Sequence, residues 1–341
     1  MRAFSDFGTP MLIGEGYRTF PVLIYTQFIS EVGGNSAFAI MAIIIALAIF
    51  LIQKHIANRY SFSMNPLHPI EPKKTTKGKM AAIYATVYGI IFISVLPQIY
   101  LIYTSFLKTS GMVFVKGYSP NSYKLAFNRM GSAIFNTIRI PLIALVLVVL
   151  FATFISYLAV RKRNLFTNLI DSLSMVPYIV PGTVLGIAFI SSFNTGLFGS
   201  GFLMITGTAF ILIMSLLSAR RLPYTIRSSV ASLQQIAPSI EEAAESLGSS
   251  RLNIFAKITT PMMLSGIISG AILSWVTLIS KLSTSILLYN VKTRTMTVAI
   301  YTEVLRGNYG VAAALSTILT VLTVGSLLLF MKISKSNSIT L

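Results

Sequence analysis

The chain has 341 residues, 54% of them hydrophobic and only 11% charged, with a formal net charge of +18. A soluble domain carries about 25% charged residues, so this composition excludes an ordinary water-covered surface. The absence of cysteine excludes disulfides and thiolate ligands from this chain.

The net charge does not point to nucleic acid. Lys and Arg collect at the ends of apolar runs, as the positive-inside bias places them. Those runs are long enough, or nearly so, to cross about 30 Å of hydrocarbon as helices. Helices satisfy their backbone groups internally, and the weak alternation of a β-barrel is missing. The expected fold class is therefore an all-α integral membrane bundle of about seven transmembrane helices.

In chain order, residues 1–35 open with RAFSDFGTPMLIG, which lacks a basic segment followed by an apolar one and is not a signal peptide. It reads as the middle of a longer sequence. Candidate spans then fall at 36–53, 81–103, 138–160, 169–192, 202–218, 263–282 and 309–331. Pro177, Pro181 and Gly182 predict that 169–192 is kinked or partly unwound. Sixteen basic residues fall in 54–80, 161–163, 219–262 and the tail, against ten in the other connections. That bias predicts a cytoplasmic C-terminus and an extracytoplasmic N-terminus. Residues 54–79 combine Pro66, Pro69 and Pro72 with a Lys-rich run. They read either as an inter-domain linker near anionic headgroups or as a solvated basic loop.

An internal repeat organises the ends. Phe4 to Ile13 sits over Ile279 to Leu288, Arg18-Thr19 over Arg294-Thr295, and Ile24 to Phe28 over Ile300 to Val304. Each copy leads into an apolar span and a basic exit. Residues 1–53 are thus expected to be the last loop and last span of a first domain. Residues 80–335 read as a complete six-span second domain, with a polar loop at 219–262.

That loop contains EEAAESLGSSRLNIFAKITTP, residues 241–261. The helical pattern breaks at Gly248 and resumes toward Pro261, predicting two short helices with a bend between them. So much Glu, Ala, Ser and Arg in a loop predicts a soluble partner.

Several side chains are candidates for the transport route or for packing. Pro177, Tyr178, Pro181 and Thr183 sit where a proline-broken helix exposes backbone carbonyls, either lining a pathway or making a kink for packing. Gly266 and Gly270 form a Gly-x-x-x-Gly pair that predicts a close helix contact, internal or between domains. Trp275 reads as an interfacial or packing residue. Asp171 lies at a span's edge and Glu303 in an outer loop, so no carboxylate relay is expected at membrane depth. His55 and His68 do not make a ligand pair, and no metal site or cofactor is expected. No nucleophile or paired carboxylates within the spans suggest an enzyme, and no Gly-x-x-x-x-Gly-Lys-Ser/Thr phosphate loop is present.

Glu242-Ala243-Ala244, Gly248, Ile258 and Pro261, at their spacing, resemble the EAA signature of MetI-like, binding-protein-dependent ABC importer permeases. The family usually has Leu before the final Pro, where this chain has Thr260. The resemblance covers about residues 80–335 and implies the type I ABC importer transmembrane fold in a bacterial inner membrane. It implies that Glu241, Glu242, Ala243, Ala244, Gly248, Ile258 and Pro261 couple to separate ATPase subunits, with the glutamates meeting basic groups there. A second permease domain, from an upstream polypeptide or a homodimer, and an extracytoplasmic binding protein are also implied. Outer-loop cations Lys281, Lys292, Arg294 and Arg306 are candidates for meeting that protein or are solvated loop charges. The DFGTP-like and STSILL-like segments resemble fused double-domain permeases for ferric iron, with relatives for aminoalkylphosphonates, thiamine and polyamines. A secondary transporter or channel is the alternative class.

Overall fold

A computed structural model describes residues 6–30, 36–59, 76–162, 164–193 and 221–337. The span expected at 202–218, the loop before it and most of the 54–79 linker lie outside the described residues.

Helices dominate, as the composition requires. They are α1 (Gly8–Ile13), α2 (Phe20–Ser30), α3 (Ser36–Arg59), α4 (Lys77–Ser105) and α5 (Asn121–Arg161). After them come α6 (Leu165–Ile179), α7 (Gly182–Phe193), α8 (Leu222–Leu233), α9 (Pro238–Ser246) and α10 (Arg251–Ile254). A π-helical turn at Phe255–Thr259 precedes α11 (Thr260–Met262), α12 (Leu264–Ile279), α13 (Ser285–Leu288), α14 (Met296–Leu305) and α15 (Tyr309–Asn337).

The helical class gains one unexpected addition, an antiparallel hairpin of β1 (Leu107–Ser110) and β2 (Val113–Tyr118). Its turn contains Gly111 at φ +60°, and its second strand begins Val-Phe-Val, residues suited to a pleated surface.

Among the described residues three helices are long and apolar enough to cross a bilayer: α4, α5 and the Tyr309–Lys332 part of α15. The pair Arg251–Met262 and Leu264–Ile279, bent by 70°, makes a fourth if counted as one span. The span expected at 169–192 is divided into α6 and α7. Val180 is extended, at φ −66° and ψ 133°, as the residue before a proline prefers, and Pro181 contributes no N–H.

The chain forms two compact units. One comprises Met1–Ala48, Met130–Ala299 and Leu319–Leu341; the other comprises Ile49–Arg129 and Ile300–Ile318. In the first unit the main apolar core joins α5, α12 and α13 through Ile140, Ala144, Val148, Ala271, Trp275 and Leu288. Trp275 is a packing residue: its indole N–H donates to Ser326 Oγ at 2.7 Å, and its ring meets Phe330 edge-on.

The close contact at Gly266 and Gly270 is internal. A Cβ on Gly266 would collide with the Ser232 side chain, and one on Gly270 would lie 2.5 Å from Thr225 Cα. Helices α8 and α12 therefore touch backbone to backbone, and Thr225 and Ser274 hydroxyls pair at 3.0 Å along the same seam.

Both repeat copies fold in the same helix order. The aligned Ile24 and Ile300 are each the fifth residue of their helix, α2 and α14. Helix α7 packs on the first copy through Ile24, Ala42, Val180 and Val184. It also packs on α13, where Gly186 leaves room for Leu287.

The second unit holds the hairpin against the 307–310 turn. Met112 covers Gly307, and Thr109 and Ser122 crowd Gly310. Glu303, 4% exposed, binds Arg306 at 3.1 Å and Asn308 at 2.7 Å.

Candidate functional site

The polar loop folds into a bent element whose every turn has a local cause. Pro238 occupies the start of α9, where its missing N–H costs nothing, and Glu241 places a carboxylate in the positive first turn. Helix α9 ends at Gly248, φ +85°, a conformation that disfavours any side chain. Gly248 N–H donates to Glu245 O at 3.0 Å and Ser249 N–H to Ala244 O at 3.1 Å, the paired closure of a Schellman stop. Ser250 then caps α10 by accepting from Asn253 N–H. The two expected helices and the bend between them are present.

The element rests on an apolar bed of Leu233, Ile236, Met263 and Ile267, with Val149, Tyr157 and Val160 of α5 against it. Phe255 stacks edge-on with Tyr157 at 4.9 Å. Ala244 and Ile254 face inward and are buried.

The glutamates divide. Glu241 is turned inward, its side chain 14% exposed, and binds Arg161 Nε at 3.0 Å. It also accepts from Thr259 Oγ1 at 3.0 Å and lies 3.4 Å from the Tyr157 hydroxyl. Its carboxylate is thus engaged within the chain and does not face outward as the sequence suggested. The cause is helical geometry, which points the residue one position before Glu242 back toward α5. Glu242 and Ala243 are exposed, and Glu245 pairs with Arg251 on the exposed surface. Such an exposed pair contributes little stability. Ile258 is half-buried and Pro261 exposed at the start of α11.

Sequence reasoning missed two residues here. Leu247 is 88% and Leu252 79% exposed, one on each side of the Gly248 turn. Two leucines bracketing a glycine in an otherwise polar loop were the available signal.

The other candidates are not gathered into one site. Tyr178 packs edge-on against Tyr224 at 5.6 Å, and Pro177 lies inside α6. Pro181 and Thr183 are buried at the start of α7, where Gly182 lies directly against Ser283 and Thr284. Of the outer-loop cations, Lys281 is buried, Arg306 holds Glu303, and Arg294 points at Met130 Sδ. Lys292 is exposed, and its carbonyl accepts from Asn136.

Two solved structures share this architecture. A bacterial ABC transporter that imports the acidic polysaccharide alginate superposes with TM-score 0.61 at 16% identity, over 76% of this chain and 97% of that one. The methionine ABC transporter MetNI, in an inward-facing form, gives TM-score 0.50 over 64% of this chain and 99% of that one. The fold is that of an ABC importer transmembrane domain of type I.

Residues 152–335 match the model of the binding-protein-dependent transport system inner membrane component, which takes in the whole bent element, and the chain belongs to that family. It is 29% identical over 347 residues to the ferric transport system permease protein FbpB of Actinobacillus pleuropneumoniae, covering 97% of this chain and 48% of that protein. It is also 29% identical over 311 residues to a putative ferric transport system permease protein FbpB 1 of Haemophilus influenzae, covering 86% and 47%. The chain spans about half the length of these relatives.

Proposed function

We propose that this chain is a membrane-spanning permease subunit of an ATP-driven importer that carries ferric iron as substrate across a bacterial inner membrane. It works with separate ATPase subunits and has no nucleotide site of its own. The observation that carries this reading is the bent element. Its inner face is fixed to α5 and α12, while Glu242, Ala243, Leu247 and Leu252 are presented outward around one turn. A small exposed alanine beside two apolar knobs and a carboxylate suits insertion into a cleft on a soluble partner. Closure of the ATPases then moves the element as a rigid body and with it the spans behind.

Ferric iron as cargo is supported by the two ferric transport permeases that align over most of the chain. Residues 1–53 serve as the end of a first permease domain and 80–335 as the second, a division supported by the matching helix order of the repeat. The full pathway then requires a further permease domain. The bent element and the C-terminus face the cytoplasm and the N-terminus faces outward, in line with the basic-residue bias. A soluble binding protein delivers the substrate on the outer side. The exposed Lys108, Lys116 and Lys124 around the hairpin suit an acidic surface there.

The test is co-purification of the ATPase with the permease, followed by ATP-dependent uptake of radioactive ferric iron in proteoliposomes with the ferric-loaded binding protein. Glu242→Arg and Gly248→Pro should each lose the ATPase. Undiminished capture in both variants would overturn the docking assignment, and uptake driven by an ion gradient without ATPase would replace it with a secondary transporter.

A further inference from the structure

We propose that the junction of Arg161, Glu241 and Thr259 is a positioning device, the strut through which displacement of α9 reaches α5. It rests on the coupling role proposed above and assigns to Glu241 a different task from its neighbour Glu242.

The geometry separates the two carboxylates. Glu241 receives Arg161 Nε and Thr259 Oγ1, each at 3.0 Å, on the same oxygen, with the Tyr157 hydroxyl near the other. Most of the acceptor capacity of a carboxylate is thereby committed inside the chain. A residue so engaged is poorly placed to greet a partner.

The junction also ties together segments distant in sequence. Arg161 is the last residue of α5, and its guanidinium spans two targets: Nε reaches Glu241, while the terminal Nη2 reaches the Ile236 carbonyl at 3.0 Å. One planar group therefore holds both the approach to α9 and its first turn. Thr259, fully buried, adds the return segment at the end of the π-helical turn. A lysine could not make both contacts from one rigid plane.

Stability alone does not account for such an arrangement. The remaining attachment of the element is apolar and comes from Leu233, Ile236, Met263 and Ile267. Apolar surfaces hold segments together but slide more readily than directed hydrogen bonds, and a partly buried ion pair is weak evidence for added stability. What the pair supplies is a fixed direction. The helix it anchors is the part of α5 that follows Met130, where the backbone leaves helical geometry (φ −126°, ψ 16°).

The experiment uses the complete transporter with its ATPase, comparing Glu241→Gln, Arg161→Gln, the double variant and Thr259→Val, with Glu242→Arg as the docking control. Two quantities are read: ATPase retained on purification, and substrate moved per ATP hydrolysed. Each single variant should retain the ATPase within about twofold, yet move on the order of tenfold less substrate per ATP, within the usual range of coupling between sites. The double variant should be no worse than the more impaired single, because both act on one contact. An unchanged ratio of transport to hydrolysis in Glu241→Gln overturns the strut. Loss of the ATPase from that variant, as in the Glu242→Arg control, also overturns it and makes Glu241 a docking residue. Should Glu241→Gln fail to fold, Thr259→Val decides, since it keeps the ion pair and removes one strap; an unchanged ratio there rejects the proposal. Retention of the ATPase by Glu242→Arg speaks against docking at this element and leaves the strut to be judged by its own ratio.

Discussion

Replacing Gly270 by alanine tests the close seam between α8 and α12. The new methyl would lie 2.5 Å from Thr225 Cα and 3.2 Å from the Cβ atoms of Thr225 and Ser228. Carbon atoms pack at about 3.5–4.0 Å, so α8 and α12 must separate by roughly 1 Å. Overpacking of this kind costs about 1–3 kcal/mol. Separation also strains two hydrogen bonds one turn along, Thr225 to Ser274 at 3.0 Å and Ser274 to the Arg221 carbonyl at 3.2 Å. Losing them adds about 1 kcal/mol each. Against this, exchanging glycine for alanine within a helix returns about 1 kcal/mol. The expected net destabilisation is about 2–4 kcal/mol, from summing those same terms. Trp275 is the single tryptophan of the chain and sits on α12, so its emission during denaturant titration in detergent reports the seam directly. Gly325→Ala is the matched control, because a Cβ there meets nothing within 4 Å. If Gly270→Ala gains stability as the control does, the helices do not approach as described and the argument fails.

Two further outcomes follow from local geometry. Gly248 has open space around it but a φ of +85°, so Gly248→Val should cost about 1–2 kcal/mol through backbone strain alone. Gly248→Asn should cost less, and ATPase capture should follow the same order in a pull-down. Trp275→Phe removes the 2.7 Å bond to Ser326 and should lower stability by about 1–2 kcal/mol. Ser326→Ala should not add to it, because both changes remove one contact; denaturant titration followed by far-ultraviolet circular dichroism checks this, since Trp275→Phe leaves no tryptophan to emit.

Some of this was legible from residue type alone. The turn at Gly248 was readable because a glycine closing a short polar helix marks a backbone stop. The division at 180–182 was readable because proline forbids a continuous ladder. Gly266 and Gly270 announced a close contact, but not its partner, since spacing within one helix says nothing about which surface meets it. The direction of Glu241 was hidden for a related reason. Two adjacent glutamates look equivalent in sequence, and the arginine that distinguishes them stands 80 residues earlier. Thr259, which shares that carboxylate, carries no signal beyond being a hydroxyl in a loop. The hairpin was missed because its strands are 4 and 6 residues long, too short for alternation to stand out beside long apolar runs. Lys281 was read as an outer-loop charge, yet its environment buries it; charge counting cannot see burial.

The two similar segments also differ by one pair of charges. Where α14 has Glu303 and, three residues on, Arg306, the aligned positions in α2 are Gln27 and Ser30. Both members of the ion pair are present in one copy and both are missing from the other. Removing the cation leaves a deeply covered carboxylate held by Asn308, whereas an arginine whose side chain is 63% exposed stays hydrated on its own. The carboxylate therefore depends on the arginine more than the arginine depends on it.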